Sequence, residues 1–83
     1  MKLLGFEKGV YPKKYNAILE ENGVIIKVGF GHQDYAQFKD STPLKLYSHL
    51  DHLDKKRREN YYKRHSKNYP KYSADYFSKK YLW

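Results

Sequence analysis

The sequence has no cysteine, only one tryptophan and no long hydrophobic run. Without thiols, neither a disulfide framework nor a thiolate zinc site can brace the fold, and nothing marks an oxidising compartment. The apolar start, MKLLGF, is interrupted at Glu7, too early for a signal peptide or a membrane span. The reading is a soluble intracellular protein with no membrane partner. The 83 residues make one small domain, 1–83, and a domain of this size buries only roughly 60 to 65% of the surface its unfolded chain exposes.

Aromatic residues are what the chain has in quantity, with ten Tyr and four Phe. They suit a thin core, because each ring buries a large area while a Tyr hydroxyl still reaches water. Charge is the other abundance, at a net +8. It is uneven: residues 1–50 carry seven Lys against five acidic residues, and residues 51–83 carry ten Lys and Arg against four. A basic third of this kind favours polyanionic partners, although charge can also serve solubility alone.

Two strands are expected within residues 13–31. KYNAILE alternates with Tyr15, Ala17 and Leu19 on one side, and VIIKVGF with Val24, Ile26, Val28 and Phe30. Asn22-Gly23 lies between them, and Asn-Gly between β-rich runs signals a type I′ hairpin. The Gly29-Phe30-Gly31 stretch lacks the spacing of a phosphate loop and reads as a strand end. Residues 32–50 have no sustained period and contain the turn signal Asp40-Ser41-Thr42-Pro43, so they read as an irregular linker.

Residues 51–83 read as a basic helical region. A helix is expected to start at Ser48 to Asp51 on a weak capping box and to run to about Lys67, before Pro70. A second, short helix is expected from the Ser73 cap onward, with Phe77 and Tyr81 four residues apart. On the first helix Leu50, Leu53, Arg57, Tyr61 and Arg64 share one stripe. So few aliphatic residues imply that Arg57 and Arg64 lay their stems over rings, with Trp83 or another ring beneath a guanidinium.

The fold class expected is therefore α+β. It comprises a β-hairpin with room for a short third strand over Tyr35 to Phe38, covered by the basic helix and the C-terminal helical turn. The expected core is Tyr15, Ala17, Leu19, Ile26, Val28, Phe30, Leu53, Tyr61, Phe77, Leu82 and Trp83. Trp83 is expected to dock against the hairpin near Tyr15 and Val28, since burying it can contribute on the order of 2 to 3 kcal/mol.

The stretch DHLDKKRRENYYKRH, residues 51–65, carries the functional question. His49 and His52 are spaced like paired metal ligands, but His65 would lie about 20 Å along the same helix from His52. No shared metal and no cofactor are expected, and the histidines read as structural. No catalytic residue is assigned: His52 beside Asp51 or Asp54 lacks an identifiable nucleophile or water site. Cations interleaved with tyrosines suit phosphates and bases respectively. The nucleic-acid-binding set on this reading is Lys55, Lys56, Arg58, Tyr62, Lys63, Lys67 and Lys71.

KKY at 13–15, FG at 30–31, the 51–65 string and SADYFSKKYLW at 73–83 together resemble a family of small proteins of unknown function. Its members are encoded by large DNA viruses of algae and protists, and by some phages. The motif runs here as H-x-D-x-x-R-R-x-x-Y-x-x-R-H, on His52, Asp54, Arg57, Arg58, Tyr61, Arg64 and His65. Ser73, Ala74, Ser78, Leu82 and Trp83 follow it as the SA…LW segment. The resemblance implies a viral setting, in the cytoplasm or nucleus of an infected cell or in the virion, and no established activity. Two roles fit it: a nucleic-acid-binding, genome-associated protein, or a minor virion protein contacting the capsid or another viral protein.

Overall fold

The computed structural model describes residues 1–65 and 69–83. Three strands form one antiparallel sheet in the order β1 (Lys2–Lys8), β2 (Tyr15–Glu21), β3 (Val24–Phe30). Two helices follow, α1 (Lys55–Arg64) and α2 (Ala74–Tyr81). The α+β class and the hairpin are as the sequence implies. Asn22 and Gly23 take φ of 52° and 81°, and Glu21 pairs with Val24 across the turn. Both turn residues are thus in the left-handed region that a type I′ hairpin needs.

The third strand is not the expected one. It is Lys2–Lys8, paired to β2 through Leu3↔Leu19 and Phe6↔Ala17, with the register shifting between Leu3 and Gly5. Tyr35 to Phe38 contributes only an isolated parallel bridge between Gln37 and Asp51. The shift hides β1 from sequence reading, because it breaks the period-two alternation of an otherwise apolar run.

Alternation puts Tyr15, Ala17, Leu19 and Phe30 on the buried face of the sheet, where they meet Phe77, Leu82 and Tyr47. Ile26, Val28, Phe6 and Trp83 pack around this cluster half-buried. Phe6 joins the layers, its ring edge-on to Phe30 at 5.9 Å and to Tyr81 at 4.7 Å. α2 is the helix that lies on β3. Ser73 caps it by accepting from the Tyr76 amide at 3.3 Å.

Residues 32–50 are irregular, as expected, apart from a 3-10 turn at Ser48–Leu50, but they build a second, polar core. Gln37, Asp40 and Thr42 are fully buried, as is Lys14 just before β2. Asp40 accepts from the Tyr15 hydroxyl at 2.5 Å, the Thr42 hydroxyl at 2.6 Å, and the Thr42 and Tyr47 amides. Gln37 donates to the Tyr47 carbonyl and to Asp51, and accepts from Lys14. Burial would raise the Asp40 pKa, but these hydrogen bonds outweigh it and hold the carboxyl below its usual value. Burial pushes the Tyr15 phenol up to about 12 and the Lys14 ammonium down to about 8.

The same network sets where α1 begins. Asp51 spends its carboxylate on Gln37 and on the Asp40 amide, while the amides of His52 and Leu53 bond to the carbonyls of Gln37 and Phe38. Residues 51–53 are thereby held out of the helix, leaving a single 3-10 turn at Ser48–Leu50. The cap is Asp54, not Ser48: its side chain accepts from the amides of Lys56 at 2.9 Å and Arg57 at 3.2 Å. Leu53 is consequently not a core residue; it is 59% exposed with φ of 53°.

Candidate nucleic-acid interface

α1 carries Lys55, Lys56, Arg57, Arg58, Lys63 and Arg64 against one acidic residue, Glu59, and buries only Tyr61. Such a helix needs an anchor other than an apolar face. The anchor is a ring stack at the end of α2: Trp83 lies parallel to Tyr61 at 4.2 Å, and His65 stacks on Tyr61 at 4.2 Å. Tyr61 also hydrogen-bonds Ser78 at 3.1 Å, Tyr62 donates to the Lys79 carbonyl, and Lys79 donates to the His65 carbonyl. The backbone beneath Trp83 is tied down too. The carbonyls of Tyr81 and Leu82 accept from the amides of Ser41 at 2.8 Å and Lys39 at 3.1 Å.

Trp83 therefore docks, its ring face to face with Tyr61 of α1 while it packs at the margin of the core cluster. His52 reaches the same stack, 5.3 Å from Trp83, so His52 and His65 occupy one aromatic assembly and are not spaced along one helix. No cluster of three or more metal-ligating side chains occurs among the described residues. Burial, and then the charge of Arg57, lowers the His52 pKa. Its Nδ1 accepts from the Asp54 amide at 2.9 Å, which puts the proton of the neutral ring on Nε2. Asp54 caps α1 and Asp51 serves Gln37, so neither carboxylate orients His52.

The arginines exchange their expected roles. Arg57 and Arg64 are exposed, and among the described residues no guanidinium lies over Trp83, one face of which is covered by Tyr61. The arginine that lies over rings is Arg58, 4.8 Å from the Phe38 centroid and 5.7 Å from that of Tyr62. Tyr62 is correspondingly engaged, with Lys79 on its ring as well. Lys55, Lys56 and Lys63 point into solvent, Lys63 pairing with Glu59 at 3.4 Å. Lys71 is exposed beside Tyr72 and lines neither hollow described below. Lys67 lies outside the described residues.

Two hollows flank this cationic surface. One, of about 510 Å³, is lined by Arg57, Asn60, Lys63, Arg64 and Trp83. The other, of about 790 Å³, opens between α1, the Leu82-Trp83 end and the loop 31–36. Arg57, Arg64 and Trp83 line both hollows and form their common rim. Sequence reading missed the loop side, where Tyr35 is 66% exposed and stacks on His32 at 4.4 Å. Its only signal was an aromatic pair in an aperiodic segment. No family model, no curated protein and no solved structure matches the chain, so the viral resemblance rests on its motifs alone.

Proposed function

We propose that the protein is a small basic nucleic-acid-binding protein of a viral genome, acting without covalent chemistry through the exposed cations of α1. The observation that supports this best is the common rim. Two exposed arginines stand beside an aromatic stack and between two open hollows, flanked by Lys55, Lys56 and Lys63. Arginines there can grip phosphate with paired donors, and the lysines add charge without demanding a fixed geometry. A capsid-associated role is the second reading, favoured by Leu4, Val24 and Ile25, which are exposed on the strands.

Binding to labelled single- and double-stranded oligonucleotides across a salt series tests the choice. Affinity should fall linearly on a log–log salt plot. Absence of any salt-dependent binding would remove the nucleic-acid reading and leave the protein-contact surface.

A further inference from the structure

Resting on that reading, we infer that the larger hollow receives an unpaired nucleobase, so that the preferred ligand is single-stranded nucleic acid. Its volume, about 790 Å³, lies within the roughly 300 to 1,000 Å³ of ordinary small-ligand pockets. Its walls differ in chemistry. The α1 wall presents Arg57 and Arg64, and the loop wall presents Tyr35 backed by His32. Among the described lining residues Asp34 is the one carboxylate side chain, and it accepts from the Tyr11 hydroxyl at 2.5 Å on the loop side, while the Lys14 ammonium that also lines the hollow is buried and bonded to the Tyr35 carbonyl and Gln37.

This polarity orients a strand. Phosphates are repelled from Asp34 and drawn to the Arg57 and Arg64 rim, which leaves the base directed toward Tyr35. Every nucleobase offers a π-face to an aromatic ring, so this contact is tolerant of sequence. A paired base would first have to leave its stack.

The loop wall is held in place by Gly31. Its φ is +73°, and a Cβ there would come within 2.8 Å of Leu82 and 3.1 Å of Lys14. The loop backbone therefore presses directly on Leu82, the residue before the rim Trp83. That close approach fixes the start of the loop that carries Tyr35 to the edge of the hollow.

Trp83 is the only tryptophan, so its emission reports on the rim. Three equal-length ligands separate the contributions: oligothymidylate, an abasic single strand and a duplex. Oligothymidylate should change Trp83 emission and bind about tenfold tighter than the abasic strand, the scale of one base–aromatic stack. Tyr35→Ala, at an exposed position and checked by its melting curve, should erase most of that advantage. Equal binding of the thymidylate and abasic strands, tighter binding of the duplex, or an undiminished advantage in Tyr35→Ala would each overturn the base site. Those three outcomes leave phosphate binding by α1 standing. Failure of all three ligands to bind would overturn both.

Discussion

Trp83 and Tyr61 stack face to face, 4.2 Å between centroids and 3° from parallel. This pair joins the basic helix to the rest of the protein, since Tyr61 is the one buried residue of α1. Trp83→Ala should therefore cost about 2 kcal/mol of stability, with the amides of α1 losing hydrogen-exchange protection before those of the sheet. Trp83→Phe should recover part of the loss. An alanine variant that melts with the parent would show that α1 is held by something else.

Asp40 is the centre of the polar core, and its carboxylate accepts four hydrogen bonds. Asp40→Asn turns part of that acceptor into a donor facing donors, so a loss of about 3 kcal/mol is expected. The pH dependence has a definite sign. Because the folded-state pKa is held down, the stabilisation is present above the ordinary carboxylate pKa and disappears as pH falls through the folded value. Urea titrations between neutral pH and pH 3 should show that acid limb flattened in the variant. An equally steep limb would place the acid sensitivity elsewhere.

The hairpin was legible because Asn22-Gly23 and period-two alternation are local properties, and the buried Tyr15, Ala17, Leu19 and Phe30 followed from it; Phe77 and Leu82 followed from the Ser73-capped helix. The polar core was not legible. Its members, from Lys14 to Asp51, are scattered along the chain and meet only after folding, and no local pattern distinguishes the buried Asp40 from any turn aspartate. The start of α1 failed for the same reason, because tertiary bonds from Gln37 and the Asp40 amide take the Asp51 carboxylate and move the start from Ser48 to Asp54. At the candidate site the expected stripe ran from Leu50 through Leu53, Arg57 and Tyr61 to Arg64, but both leucines precede α1, and of the three residues on the helix only Tyr61 is buried, the arginines one turn to either side being exposed.

Leu53 and Asp54 set the entry to α1 and can be separated by substitution. Asp54→Ala removes the acceptor for two helix amides and should cost about 1 kcal/mol. Leu53 adopts φ of 53° while 59% exposed, a conformation that Asn tolerates better than a branched aliphatic. Leu53→Asn should thus stabilise by up to about 1 kcal/mol. A measured loss of stability in denaturant would mean that the Leu53 side chain makes a contact outweighing its backbone strain.

Lys14 gives the protein a distinctive alkaline profile. Its ammonium is buried against Gln37 and the Tyr35 carbonyl. Burial lowers its pKa from 10.5 to about 8, with Asp40 and Asp51 opposing the shift. Between these values the unfolded chain holds a proton that the folded chain has released, so stability rises with pH. Tyr15 acts oppositely. Its phenol is raised from 10.0 to about 12, so the folded chain retains a proton that the unfolded chain loses, and stability falls across that interval. Together they place a maximum near pH 10, with the Tyr47 and Tyr61 phenols, also raised by burial, steepening the descent. Lys14→Met should abolish the rise above pH 8 and leave the descent, whatever its effect on stability at neutral pH. Melting temperatures from pH 7 to 11 for both proteins would decide it, and a parent that loses stability steadily from pH 8 would mean that Lys14 keeps an ordinary affinity for its proton.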